Sequence, residues 1–166
     1  PVHQAREQWS DGANAFALPS GKIVITDGLV ELAESADALA GVFVHEMAHV
    51  EKRHGLRMVF QNAGVFFVIS ALVGDVVSVT STAAAFPTLL VERGYSRQFE
   101  LEADLAAGRY LLAQTGSTRP YRRMLERLMA DHPPDGAFSM ISTHPAIEKR
   151  IKRLKQQEED HARHSP

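Results

Sequence analysis

The apolar positions of this chain change period along its length, and each period predicts an element. Ala15 to Leu18 and Lys22 to Thr26 are short extended stretches, the second alternating and rich in β-branched residues, as half-buried strands are. Pro19-Ser20-Gly21 between them is a turn signal, so the pair predicts a β-hairpin. From Ala36 the alternation stops. The apolar run Ala38-Leu39-Ala40-Gly41-Val42-Phe43-Val44 holds no proline and predicts a helix over about 36–53, with Ser35 or Asp37 as N-cap. Further helices are predicted over about 97–113, 119–130 and 146–157, with Gly116 at a helix end and Pro120 in a first turn. The charged tail after Leu154 is expected to fray.

Between Met58 and Val91 the single charged residue is Asp75. The longest apolar core there, Ala63 to Val73, falls short of the roughly 20 residues a helix needs to cross a bilayer. A buried helical hairpin is therefore expected rather than a spanning pair. A membrane-facing element, a lid or a contact in a homo-oligomer are the functional alternatives for that apolar surface. The sum is an α+β domain, mostly helical, occupying residues 1–166 as one unit.

Composition narrows the function. At 166 residues the chain can bury roughly 70% of its unfolded surface. A net charge of −2, without basic residues interleaved with aromatics, argues against a nucleic-acid partner. The absence of cysteine excludes disulfides and thiolate metal sites. The chain opens on Pro1 without a signal segment, and we expect it to be part of a longer, membrane-associated protein.

The strongest chemical signal is His45-Glu46-Met47-Ala48-His49, set within the predicted helix. Residues four apart share a helix face, so both imidazoles can point at one ion, and paired neutral imidazoles suit zinc. Glu46 is rotated off that face but stays beside the ion, where its carboxylate can take a proton from an activated water. A catalytic zinc needs a third ligand. Glu100 and Asp104 are four apart on the next helix; Glu100 could ligate, and Asp104 could accept a hydrogen bond from the far nitrogen of a ligand histidine. Glu102 faces elsewhere and reads as a solvated charge.

These residues together resemble the gluzincin metallopeptidases that include HtpX-type heat-shock proteases and CAAX prenyl proteases. The resemblance runs from Asn14-Ala15-Phe16-Ala17-Leu18-Pro19-Ser20-Gly21 and Lys22 to Leu29, through His45 to His54 and Ser96-Arg97 to Asp104, to Ser142-Thr143-His144-Pro145 and Arg150-Ile151. It implies a zincin-like fold with the hairpin beside the zinc helix. It also implies one Zn²⁺ per chain held by His45, His49 and Glu100, with Glu46 as general base and Asp104 behind the ligands. The subgroup it resembles most is that of envelope and mitochondrial quality-control proteases. That places the whole protein at a bacterial cell envelope, in the inner membrane or periplasm.

The implied activity is zinc-dependent endopeptidase cleavage of an extended polypeptide, which could add to an edge of the hairpin. His144, in a loop before the last helix, could stabilise the oxyanion or instead occupy the open metal position and hold the enzyme off. The rival reading is a latent or chaperone-like client-binding module with a capped zinc; a prenyl-peptide protease is a weaker third. Arg150 could pair with an acid near the site, but its neighbours Lys149, Lys152, Arg153 and Lys155 point to a solvated basic face. His54 reads as a cation favoured by the helix C-terminus and not as a ligand. His3, His132, His161 and His164 read as surface residues.

Overall fold

The computed structural model describes residues 12–61 except 19 and 59, then 95–130, 144 and 146–164. The hairpin is present: β1 (Ala15–Ala17) pairs antiparallel with β2 (Ile23–Ile25), with Ala15 opposite Ile25 and Ala17 opposite Ile23. Gly21 turns the chain between them at φ 83°, a left-handed conformation that glycine adopts without steric cost.

A short helix that the apolar pattern did not announce follows, α1 (Asp27–Leu32). Its start rests on Thr26, whose Oγ1 accepts from the Leu29 amide at 3.3 Å and from the Asn14 amide at 2.8 Å. One hydroxyl thus caps the helix and ties it to the segment leading into β1.

Helix α2 (Ala36–Glu51) begins on Ser35, whose Oγ accepts from the Ala38 amide at 3.2 Å; of the two predicted caps, this is the one used. The helix ends where Arg53 enters φ 53°, and a new helical stretch starts at His54. Helix α3 (Arg97–Thr115) is capped by Ser96 and closed by Gly116 at φ 72°, the left-handed C-cap. Helices α4 (Arg119–Ala130) and α5 (Ile147–His164) complete the described chain.

Helix α5 is longer than predicted, because the tail is helical rather than frayed. Glu158 explains much of this. It accepts from the Thr118 amide at 2.9 Å, Thr118 Oγ1 at 2.7 Å, Ser117 Oγ at 2.9 Å and Arg122 Nη2 at 3.1 Å. A carboxylate from α5 therefore caps the N-terminus of α4 and pins the tail to the domain.

Helix α2 packs against α3 and α4, and α5 packs against α3 and α4. Leu29, Val42, Leu111, Tyr121, Leu125 and Leu154 are among the buried side chains of the core between them. Gly41 sets the approach of α2 to α4: a methyl there would lie 2.7 Å from Tyr121 Cβ. The architecture is thus mostly helical α+β with one small antiparallel sheet. The apolar segment predicted as a helical hairpin lies, from residue 62 to 91, outside the described residues. Among the described residues no helix is long and apolar enough to cross a membrane.

Candidate metal centre

The helical period of α2 turns His45 and His49 toward α3, where Glu100 sits in the first turn. The two Nε2 atoms are 3.0 Å apart. Glu100 presents Oε2 at 3.5 Å from His45 Nε2 and Oε1 at 3.4 Å from His49 Nε2. His144 adds its Nδ1, 3.3 Å from His45 Nε2 and 2.9 Å from Glu100 Oε1. All four residues are buried, and their ligand-capable atoms lie within 4.8 Å of one another. Four donors at bonds of about 2.0–2.1 Å around a tetrahedral zinc would stand roughly 3.3 Å apart. The observed spacings of 2.9 to 3.5 Å bracket that value.

Glu46 is buried beside this cluster, with Oε1 3.3 Å from His144 Nε2. The approach is close but off any hydrogen-bond direction. Both Glu46 oxygens and His144 Nε2 thus stand among the buried polar atoms without a hydrogen-bond partner. Buried oxygen and nitrogen in that condition are costly unless a cation or a substrate group meets them. Two imidazoles and carboxylate oxygen are also the donor set zinc prefers when one position is kept for chemistry. The residues therefore fit a zinc ion.

Asp104, one turn beyond Glu100, reaches behind His45, with Oδ1 at 3.0 Å from Nδ1. This is the contact expected of a carboxylate that fixes a ligand tautomer. Asp104 in turn is gripped by Arg150, whose Nε and Nη2 donate to its two oxygens at 2.9 Å each. Arg150 Nη1 lies 3.1 Å from Glu100 Oε2, and Nη2 donates to Tyr121 Oη at 2.8 Å. Tyr121 Oη itself donates to Asp104 Oδ1 at 3.1 Å. The solvated-face reading of Arg150 is thus overturned: the side chain is 4% exposed and serves two carboxylates. The clue lay in spacing. Ile147, Arg150 and Leu154 are the buried residues of α5 and fall at i, i+3 and i+7, so the arginine sits on the apolar stripe of an otherwise basic helix.

His54 and Glu102 are corrected in the same way. His54 is fully buried, stacked on Phe99 with centroids 4.4 Å apart and planes 8° off parallel. Its Nδ1 lies 2.9 Å from His49 Nδ1, and its Nε2 lies 3.3 Å from Glu102 Oε2. Burial lowers its pKa, so it is not the dipole-stabilised cation the sequence suggested. Glu102 is no free surface charge, since Arg57 Nη1 also reaches it at 3.3 Å. Tyr95, for which no short motif gives a signal, stacks on His49 with ring centroids 3.9 Å apart. His161 and His164 are exposed, as read, while His3 and His132 lie outside the described residues.

The pocket seeks positive charge. Burial and the Arg150 charge press the His45 pKa down, but hydrogen bonds to Asp104 and Glu100 more than offset them and raise it to about 9. Burial takes His49 the other way, to about 3. Burial would raise Glu100, yet His144 and Arg150 hold it well below the usual carboxylate range. Glu46 is raised, chiefly by burial, as suits a group that must hold a proton for part of a cycle. A proton on His45 answers the carboxylates' demand in part; a divalent cation answers it with both imidazoles neutral.

Residues 5–158 match peptidase family M48. The chain is 30% identical over 150 residues to the mitochondrial metalloendopeptidase OMA1 of Schizosaccharomyces pombe, covering 86% of this chain and 43% of that protein. It is 32% identical over 183 residues to a protease HtpX homolog of Tropheryma whipplei, covering 86% of this chain and 62% of the relative. It is 26% identical over 157 residues to the beta-barrel assembly-enhancing protease of Escherichia coli, covering 86% and 31%. The chain thus spans less than two thirds of the length of each. With the match running through every element from the hairpin to α5, this chain belongs to peptidase family M48, whose zincin-like fold it shares.

Proposed function

We propose that this chain is the catalytic domain of a zinc-dependent endopeptidase, with residues 1–166 acting as one unit. The observation that carries the reading is the buried cluster of His45, His49, Glu100 and His144 with the unpartnered Glu46 carboxylate at its edge. His45, His49 and Glu100 would hold the ion. Zinc bound there supplies Lewis acidity for a water and for the scissile carbonyl. Glu46 takes the proton of the attacking water and returns it to the leaving amine, a double duty helped by its raised pKa. Asp104 keeps the His45 Nδ1 proton outward, so Nε2 stays a bare donor. Arg150 holds Glu100 and Asp104 in register.

His144 favours a second state of the same enzyme. Its Nδ1 stands among the ligand atoms, and a zinc site with four protein donors is closed to substrate. We read this as a latent form, opened when His144 withdraws and frees its imidazole to meet the oxyanion. The client would be an extended polypeptide adding to an edge of the β1–β2 sheet. The relatives' names, a mitochondrial metalloendopeptidase, a protease HtpX homolog and a beta-barrel assembly-enhancing protease, support proteolysis, and our reading extends this to membrane or envelope protein quality control by a membrane-associated whole protein. Metal analysis and a casein digest test the reading. Glu46→Gln should keep bound zinc and lose turnover by at least about 10³-fold, within the range for proton-transfer groups. Full proteolysis by that variant, or a wild-type digest indifferent to chelator, would refute it.

A further inference from the structure

The contacts running outward from His49 have a direction, and the direction is set at the protein surface. Glu102 Oε2 takes Arg57 Nη1 and faces His54 Nε2, both at 3.3 Å. An ionised carboxylate only accepts, so the nitrogen of His54 that faces it must carry the ring proton. With one proton on that ring, His54 Nδ1 is a lone pair. The partner 2.9 Å away, His49 Nδ1, must then be the donor. His49, neutral in turn, is left with a bare Nε2, the atom that faces Glu100 and His45.

The reverse direction does not close. A proton kept on His49 Nε2 would turn its Nδ1 into an acceptor and draw the His54 proton inward. His54 Nε2 would then oppose the Glu102 carboxylate with a lone pair at 3.3 Å. His45 is treated alike by a shorter route, since Asp104 takes its Nδ1 proton directly. With a cation between the two Nε2 atoms, which stand 3.0 Å apart, each imidazole is thus left bare on its inner nitrogen, one by a carboxylate and the other by a histidine backed by a carboxylate.

We propose that His54 and Glu102 are positioning residues of the metal centre, which fix the tautomer of His49 so that its Nε2 is free to bind the ion. The proposal rests on the zinc reading above. Stacking on Phe99 holds the His54 plane in line with both partners. A packing role alone would be met by any side chain of similar size; a tautomer role needs an acceptor toward His49 and a donor toward Glu102.

The test uses the full chain loaded with Zn²⁺. Long-range ¹H–¹⁵N correlation of the histidine rings reads the tautomers in the wild type without any substitution. His49 should carry its proton on Nδ1, and His54 should carry its proton on Nε2. Zinc affinity, by competition with a chromophoric chelator, should fall about 10–100-fold in His54→Leu and in Glu102→Leu. Glu102→Gln should stay near the wild type, because its side-chain oxygen still accepts from His54. His54→Asn should recover part of the loss, since its oxygen can accept from His49 Nδ1. A proton on His54 Nδ1 in the wild type would overturn the proposal, as would wild-type affinity in both leucine variants. A wild-type chain that binds no zinc would instead sink the metal-site reading itself, so the two failures are distinguishable.

Discussion

Replacing Arg150 with methionine removes a charge while keeping most of the side chain's volume. The guanidinium donates twice to Asp104 at 2.9 Å, lies 3.1 Å from Glu100, and donates once to Tyr121. All of these partners are buried. Loss of the cation leaves two buried carboxylates without the guanidinium they share, and breaking a buried pair from one side costs about 3–5 kcal/mol. For a chain of this size each kcal/mol moves the midpoint by roughly 2–4 °C, so Arg150→Met should melt about 10 °C below the wild type. Arg150→Lys should fall between them, because one ammonium cannot bridge both carboxylates as the planar fork does. Thermal unfolding followed by circular dichroism, with and without Zn²⁺, measures this. Zinc should stabilise the methionine variant more than the wild type, since a second cation near Glu100 then replaces what was lost. If Arg150 were on a solvated face the change would stay within about 0.5 kcal/mol. A melting point for Arg150→Met that matches the wild type would refute the buried-clamp argument.

Four further outcomes follow from the geometry. His144→Ala should weaken zinc binding yet raise casein cleavage if the imidazole caps the site; unchanged values of both would remove His144 from it. The Thr118 and Ser117 contacts and Arg122 outweigh desolvation and lower the Glu158 pKa from 4.5 to about 2, so its stabilisation is complete above pH 4.5 and lost as pH falls toward 2. With the Glu158 side chain 28% exposed, screening trims that contribution to about 1–2 kcal/mol, and Glu158→Gln should lose it at pH 7 but differ little from the wild type near pH 2 in denaturant titrations. Gly41→Ala should destabilise by about 1–3 kcal/mol despite its better helix propensity, because the new methyl meets Tyr121 Cβ and Cγ at 2.7 and 2.8 Å. Gly108→Ala, which meets the movable end of Gln157, should be nearly neutral by the same measurement.

Features set by residues a few positions apart are legible in the sequence. The spacing of His45 and His49 is a property of one helix, and so is that of Glu100 and Asp104. Caps at Ser35 and Gly116 and the turn at Gly21 depend on residues a few positions apart, and each was legible. Helix α1 was missed because its start depends on a hydroxyl shared with the strand region through Asn14. The tail after Leu154 was misjudged for a similar reason, since the groups that hold Glu158 come from about 40 residues away.

What the chain determined by itself is a helix bearing a histidine pair, a second helix bearing a carboxylate pair, and the chemistry that such groups perform on one ion. The tertiary structure alone decided which charges leave water. Arg150 and Glu102 are alike in sequence as charged residues on helices, yet one is enclosed between two carboxylates and the other stands at the rim of a buried histidine. Burial and partner geometry arise from contacts 46 and 48 positions apart, where no periodicity extends. A side chain's role changes with its dielectric surroundings, and those exist only once α2, α3 and α5 have packed.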